Sequence, residues 1–165
     1  MISDLFLLEF DEEAKKTRAM LERVPMKAGF TPHAKSMPLD KLAVHVAELP
    51  GFGHTILTTP ELDFGSGPRT RPAFESPAQL VKDFEDGAAK VCTALKQTSE
   101  SAWNESWKLS FQGRPLFSGS RFLAYRQMFL NHLVHHRAQL GVYLRLNDVP
   151  LPGTYGPSAD DRMGF

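Results

Sequence analysis

The sequence is nearly devoid of cysteine: Cys92 is the only one among 165 residues. A single thiol cannot form an internal disulfide, and it cannot supply the thiolates of a cysteine-rich zinc site. Cys92 lies in the middle of a segment with helical periodicity, so we interpret it as a small core residue rather than a nucleophile. Any metal site in this chain must therefore use other side chains.

The chain also lacks an excess of charge, because 19 Lys and Arg residues balance 19 Asp and Glu residues. Binding to the phosphates of nucleic acid uses a basic surplus, so nucleic acid is not an expected partner. No apolar run approaches the roughly 18 residues that a membrane-spanning helix needs. The residues after Met1 have neither the basic region nor the cleavage site of a secretory signal. We therefore expect a cytoplasmic protein without a membrane partner.

What the chain does contain suits a packed core, with 42% hydrophobic and 10% aromatic residues. We expect one domain over residues 1–165. Apolar residues recur at helical spacing in four stretches, which predicts an all-α fold, a four-helix bundle. The predicted helices cover residues 4–23 with Ser3 as cap, a stretch starting at Ser36 with Pro38 just inside, residues 76–99, and residues 121–146.

Two connectors differ from these helices. Residues 60–72 are rich in Gly and Pro and show no period, which predicts a long loop. Residues 103–118 place apolar and aromatic side chains around the turn sequence Gln112-Gly113-Arg114-Pro115, which predicts a short hairpin or an extended crossover.

The segment Asn131-His132-Leu133-Val134-His135-His136-Arg137 holds three of the six histidines. On a helix, His132 and His136 share one face while His135 points away. The pair falls on a core-facing seam with steps of three and four residues, and two buried imidazoles need compensation that a metal ion supplies. The seam comprises Phe122, Tyr125, Phe129, His132, His136, Gln139, Tyr143 and Leu146.

A third ligand must come from another helix. His45 lies on the apolar stripe of the second predicted helix, whereas His33 and His54 fall in or beside loops, where solvation or a local hydrogen bond suffices. A lone buried histidine usually has a structural role, but together with the seam pair His45 is better explained as a ligand. We therefore predict metal ligation by His45, His132 and His136. His135 either donates a hydrogen bond to a neighbour or faces solvent.

Three neutral imidazoles without a carboxylate leave a divalent ion its full charge and at least one open position. Structural zinc sites are usually closed by four protein ligands, so an open site is typical of a catalytic centre. The open position could hold water or a substrate thiol. The residues themselves do not distinguish between these two uses.

Taken together, these motifs resemble the DinB/YfiT-like metalloproteins, a family named for DNA-damage-inducible members. The resemblance extends over nearly the whole chain and lies in the combination of motifs rather than in any one of them. The motifs are Thr17-Arg18 and Leu21-Glu22, residues 31–37, residues 42–45, residues 131–140 and residues 155–160.

The resemblance implies an up-down-down-up bundle with a long crossover and a nickel or zinc ion held by three histidines. The family's helix-two histidine matches His45, and its H-x-x-x-H pair matches His132 and His136. Relatives include S-transferases that depend on bacillithiol or mycothiol, a mycothiol-dependent isomerase and hydrolase-like members, and many form homodimers. We thus expect a metal-dependent S-transferase that uses a low-molecular-weight thiol. The alternatives are a metal-dependent hydrolase and a non-catalytic metal-binding module of a stress response.

Further groups stand out without a definite role. Arg137 and Arg145 could orient an anionic substrate or thiol cofactor, or form salt bridges to acidic neighbours. The tail with Tyr155, Asp160 and Asp161 could fold over one end of the bundle or be a loop fixed by its Gly-Pro turn. The tryptophans, Trp103 and Trp107, could line a pocket or cover an edge of the core.

Overall fold

The computed structural model describes residues 1–26, 29–67 and 72–162. Three long helices are continuous, and the fourth consists of two α-helical parts with a π-helical segment between them. Three short strands lie in the connectors. The elements are α1 (Ile2–Leu21), α2 (Leu39–Thr58), β1 (Glu61–Asp63), α3 (Pro77–Gln97), a 3-10 turn (Ser101–Asn104), β2 (Ser106–Phe111), β3 (Arg114–Ser120), α4 (Arg121–Leu123), the π segment (Ala124–Leu130) and α5 (Asn131–Arg145).

Two of the predicted helix starts differ from the structure. The second helix begins at Leu39 with Pro38 as its N-cap and no side-chain cap, so the predicted start at Ser36 with Pro38 inside the helix is wrong. The Ser76 hydroxyl accepts a hydrogen bond from the Gln79 amide at 3.1 Å and Pro77 opens the helix, so the predicted cap of α3 is confirmed. Ser3 is not the cap of α1, which begins one residue before it. The Ser3 hydroxyl instead donates to the Thr98 carbonyl, because the serine faces the neighbouring connector.

Contacts at opposite ends show how the helices run. The Ile2 amide bonds to Glu100 and Arg18 pairs with Glu85, so α1 and α3 are antiparallel. The fourth helix is antiparallel to α2, because Arg121 at its start bonds to the Ile56 carbonyl near the end of α2.

The second and third helices run in the same direction. A Cβ atom on Gly87 would lie 2.9 Å from the Cβ atom of Pro50, and farther along both helices Thr58 and Ala94 line one cleft. The order is therefore up-down-down-up, as the sequence resemblance implies. Two consecutive parallel helices require a long crossover, which residues 59–76 provide.

The fold is not purely all-α, which corrects that prediction. A three-stranded sheet has the order β1-β2-β3, with β1 parallel to β2 and β2 antiparallel to β3. The predicted hairpin is confirmed as β2 and β3, and its turn residues Gln112 and Gly113 have φ values of 49° and 76°. Positive φ at both central residues is the geometry of a tight I′ hairpin turn.

β1 lies inside the stretch predicted as a loop, of which residues 68–71 lie outside the described ranges. Three residues are too few for a periodic signal, so this strand depends on its pairing with β2. Asp63 at its end adds a link, since its carboxylate accepts hydrogen bonds from the Gln112 amide at 2.9 Å and the Gly113 amide at 2.8 Å. The crossover is thereby tied to the hairpin turn.

The buried apolar side chains form a core shared by the helices and the sheet. Trp103 and Trp107 are fully buried in this core, so they cover its edge rather than line a pocket. Cys92 is half-buried and packs against the core, and burial raises the pKa of its thiol. Within the described ranges, the helices are all too short or too polar to cross a membrane.

The fourth helix approaches α2 most tightly at a glycine. A Cβ atom on Gly53 would lie 2.7 Å from the ring of Phe129, which is closer than packed carbon atoms come. Only glycine fits there without a shift of the Phe129 ring or of one helix. Phe129 belongs to the π segment, where the Asn131 amide bonds to the Arg126 carbonyl five residues earlier.

The π segment shifts the buried face of the fourth helix by one residue. Tyr125 and Phe129 are buried as the predicted seam requires, whereas Phe122, the first seam residue, is 37% exposed. After the segment, the buried residues are Leu133, Arg137, Leu140 and Leu144, each one position later than the predicted seam. A wider turn accommodates an extra residue, so the following side chains are rotated by about 100° relative to a regular α-helix. The seam prediction is therefore wrong for this half, and His132 and His136 lie beside the core, half-buried.

Candidate metal centre

The structure brings together the three histidines chosen from the sequence. One ring nitrogen from each of His45, His132 and His136 lies within 4.8 Å of the other two. The Nε2 atoms of His45 and His132 are 3.4 Å apart. The ring of His136 is centred 4.5 Å from each of the other two rings.

Two elements produce this cluster. On α5, the spacing of four residues stacks His132 and His136 on one face, and the preceding π segment turns that face towards α2. On α2, His45 is half-buried in an otherwise apolar stretch and meets the pair from the opposite side. The histidine cluster therefore links α2 to α5.

Hydrogen bonds fix the tautomers of two rings. His132 Nδ1 lies 3.2 Å from the Met128 carbonyl oxygen, and His136 Nδ1 lies 2.7 Å from Oε1 of Gln139. Both oxygens accept only, so each Nδ1 carries the proton in a neutral ring. Each Nε2 is then unprotonated and has a lone pair available for a metal ion.

Burial favours the neutral form of the same two rings. Desolvation is the largest influence on His132 and on His136, and it lowers the pKa of each below the ordinary value of 6.5. The hydrogen bonds that His132 donates to the Met128 carbonyl and His136 donates to the Gln139 side chain act in the opposite direction with smaller effect. Near neutral pH, both imidazoles are therefore in the form that binds metals.

The donor set suits a divalent transition metal. Zinc to imidazole distances of about 2.0–2.1 Å imply ligand nitrogens about 3.3 Å apart in a tetrahedral site. The 3.4 Å between the Nε2 atoms of His45 and His132 matches this value, and the 4.8 Å limit for the whole group means that no pair has to contract by more than about 1.5 Å. Imidazole ligands suit zinc and nickel alike. The group contains no carboxylate, so an ion held by it keeps its charge.

His45 and His132 open onto a cavity of about 940 Å³. Its walls come from α2, α3 and the crossover, and apolar side chains such as Phe52, Phe64 and Leu109 alternate with polar ones. This volume suits a small-molecule ligand. Among the described lining residues the carboxylates outnumber the single ammonium of Lys90; they are Glu48, Asp63, Glu75, Asp83 and Asp86.

The remaining histidines lie outside the cluster. His135 is exposed and its ring packs against His136 at 4.8 Å between centroids. His33 is exposed, and its Nδ1 accepts a hydrogen bond from the Lys35 amide, which confirms the local hydrogen bond. His54 lies within α2 rather than in or beside a loop, so that placement is wrong.

Arg137 forms a salt bridge and does not face the cavity. Its guanidinium is 2% exposed and pairs with the Glu13 carboxylate on α1 at 2.6 Å. The hydroxyl of Tyr155 accepts a hydrogen bond from Arg137 and donates one to Glu13. Arg145 pairs with Asp160. Both arginines thus hold the tail against the bundle.

Two side chains near the cluster were not selected from the sequence. Gln139 was counted as a seam residue, although its spacing of three from His136 is the signal that it can reach that ring. Glu48 follows His45 by three residues and lines the cavity with it. Neither side chain can be selected from the sequence until the candidate metal-binding histidines are known.

One comparison with a solved structure bears on the architecture. No family model matches the chain. The uncharacterized protein YrdA of Bacillus subtilis (strain 168) is 25% identical over 169 residues, which cover 98% of this chain and 93% of that protein. The crystal structure of a DinB-like protein, YjoA from Bacillus subtilis, superposes with a TM-score of 0.63 at 19% identity, over 95% of this chain and 98% of that one. In fold, this chain is therefore DinB-like, which confirms the resemblance drawn from its sequence.

Proposed function

We propose that this protein holds a divalent metal ion, nickel or zinc, at His45, His132 and His136, and that the site activates a thiol or water in the adjoining cavity. The observation that carries the proposal is the convergence of three imidazole nitrogens within 4.8 Å at the wall of a cavity. The hydrogen bonds of His132 and His136 support it, because each of these rings presents an unprotonated Nε2 for an ion.

A divalent ion bound there would act as a Lewis acid and lower the pKa of water or of a thiol. The rings of His132 and His136 would help to hold this ion at the wall of the cavity. The apolar side chains of Phe52 and Leu109 exclude bulk water from one side of the cavity. The described carboxylates of the cavity disfavour a free thiolate, so thiol activation depends on the positive charge of the ion.

The reaction that we propose first is S-transfer from or to a low-molecular-weight thiol, with a small-molecule substrate in the cavity. It predicts turnover that rises with added thiol and with nickel or zinc. The test measures metal content and thiol-stimulated turnover of protein purified without a histidine tag or added metal. Unchanged metal content and turnover in His132→Ala and His136→Ala would exclude the proposal.

Metal-dependent hydrolysis is the second candidate, favoured by Glu48. This half-buried carboxylate lies one helical turn after His45 in the same cavity, where it could accept a proton from an attacking water. Hydrolysis predicts turnover without thiol, and Glu48→Gln should abolish it while leaving metal content intact. A cobalt spectrum that does not respond to thiols or small anions would point instead to a non-catalytic binding module.

A further inference from the structure

We infer that Gln139 is a positioning residue, which holds His136 with its proton on Nδ1 and its Nε2 lone pair directed at the metal centre. The part of this inference that concerns metal affinity rests on the proposed function. The part that concerns the tautomer of His136 does not, because it can be observed in the metal-free protein.

The hydrogen bonds of the two α5 histidines differ in origin. His132 Nδ1 is 3.2 Å from the backbone carbonyl of Met128, which any residue at position 128 would supply. His136 Nδ1 is 2.7 Å from the side-chain oxygen of Gln139, one helical turn later. Only the ring of His136 therefore depends on a side chain that substitution can remove.

The orientation of the Gln139 amide decides whether His136 can bind a metal through Nε2. With Oε1 towards the ring, Nδ1 donates and Nε2 keeps its lone pair. With the amide nitrogen towards the ring, Nδ1 would accept, Nε2 would carry the proton, and it could not bind an ion. The two orientations thus predict opposite tautomers.

The chemistry of the partner also matters for the ion. An amide oxygen is neutral, whereas many metal-binding histidines donate to a carboxylate, which makes the imidazole a stronger donor. A neutral partner orients His136 and leaves the charge of the ion undiminished. That property suits a centre that activates a bound thiol or water, since the activation depends on positive charge.

The first experiment observes the tautomer directly. Nitrogen-15 imidazole spectra of the metal-free protein, recorded at a pH where the rings are neutral, should show His136 protonated on Nδ1. Gln139→Ala should give a mixture of tautomers at His136 and leave His132 unchanged. Gln139→Glu should restore the Nδ1–H form, because a carboxylate only accepts.

The second experiment measures affinity for zinc and for nickel by competition with a chelator. Loss of such a partner typically lowers metal affinity about 10- to 100-fold, which is the expected effect of Gln139→Ala, and Gln139→Glu should bind at least as tightly as the wild type. Gln97→Ala is the matched control, because Gln97 is an exposed glutamine at the end of α3 that lines a different cleft. Circular dichroism checks that every variant is folded.

The outcomes separate the two proposals. An unaltered His136 tautomer in Gln139→Ala, or an affinity within twofold of the wild type, overturns the role of Gln139. A wild type that binds neither metal overturns the proposed function, while the tautomer spectra still decide whether Gln139 positions the ring.

Discussion

The three clustered histidines are held in place by different means. His132 is bonded to the backbone of its own helix, His136 to a side chain on the next turn, and His45 belongs to another helix. A ring fixed by the backbone resists substitution of its surroundings. Because His45 reaches the others across a helix interface, packing between α2 and the fourth helix controls the size of the cluster.

Removal of one ring should separate ligands from bystanders. His136→Ala is expected to lose tight metal binding, because two imidazoles remain where three converged. His135→Ala is the control, since His135 is adjacent in sequence but exposed and outside the cluster. Elemental analysis after dialysis against a weak chelator measures the difference. Equal metal content in both variants would contradict the assignment of His136.

Acid should weaken the metal-free protein through the same rings. Because burial lowers the pKa of His132 and His136 in the folded state, protonation favours the unfolded chain. The free energy of unfolding should therefore fall as pH drops below the ordinary value of 6.5 and level off below the lowered pKa values. Urea titrations between pH 7 and pH 5 measure this trend. The double variant His132→Asn, His136→Asn should lose less stability, and an equal loss would contradict the role given to burial.

At the scale of elements, one side chain links the shortest strand, β1, to the hairpin turn. Asp63 accepts hydrogen bonds from the amides of Gly65, Gln112 and Gly113, and these bonds lower the pKa of its carboxyl. A lowered pKa means that the contribution to stability is present above the ordinary value of 3.8 and is lost as pH falls through the lowered one.

Asp63→Asn should loosen the link between crossover and hairpin, because an amide presents one acceptor oxygen where the carboxylate presents two. Hydrogen exchange at the amides of Gln112 and Gly113 should accelerate, while exchange within α2 stays constant. Glu61→Gln on the same strand is the control, since its side chain is exposed. Equal exchange in both variants would show that the strand pairing alone holds the turn.

The sequence predicted the long helices, in which apolar residues recur with a regular period. It missed the elements that arise from tertiary contacts. The cap at Ser76 and the hairpin turn at Gln112 are local features, and both were predicted. The π segment could not be predicted in this way, because the apolar spacing around its wide turn also fits a regular α-helix. Packing against α2 at Gly53 accompanies it in the structure, and no local signal marks it.

The same shift explains why the predicted histidines lie together although the seam prediction was wrong. A spacing of four residues keeps His132 and His136 on one face wherever that face points. The direction of the face depends on the π segment, so burial of the pair in the core was incorrectly predicted. Gln139 was likewise placed in the seam, whereas it lies at the surface and holds His136.

On the scale of the whole molecule, a buried ionic network joins α1, α5 and the tail. Glu13 is 7% exposed and Arg137 is 2% exposed, and Tyr155 closes the network with its hydroxyl. Loss of one partner from a buried ion pair leaves an uncompensated charge, which costs about 3–5 kcal/mol.

Glu13→Gln should therefore lower the free energy of unfolding by about 3 kcal/mol, measured by urea denaturation. Glu9→Gln is the matched control one turn earlier on α1, where the pair with Arg126 is partly exposed and worth less than about 1 kcal/mol. A loss of similar size in both variants would mean that the buried Glu13–Arg137 pair contributes no more to the free energy of unfolding than the partly exposed Glu9–Arg126 pair.

For the homodimer that the sequence resemblance implies, we propose a contact surface on α1. Leu5 and Leu8 on α1 are 69% and 70% exposed. Phe6 lies between these two leucines in the sequence, and its ring is centred 5.4 Å from the ring of Phe122 at the start of the fourth helix. Exposed apolar patches of this kind mark interaction sites.

Sedimentation velocity should show a dimer that Leu8→Lys converts to a monomer, because a charge would be buried in the contact. Val142→Lys is the control, as Val142 is an exposed apolar residue elsewhere, on α5. A monomeric wild type, or a dimer that tolerates Leu8→Lys, would remove this surface from consideration.

The contact between Gly53 and Phe129 affects how related three-histidine sites can be recognised from sequence. Gly53 lies eight residues after His45, about 12 Å along α2, so it touches no ligand. Any larger side chain there would meet the Phe129 ring, so that either this ring or one of the two helices would have to shift. Where the helices shift, a chain that keeps all three histidines but replaces this glycine would retain the imidazoles and change their spacing. A search for related sites should therefore treat the histidines and the glycine as a single motif of four residues.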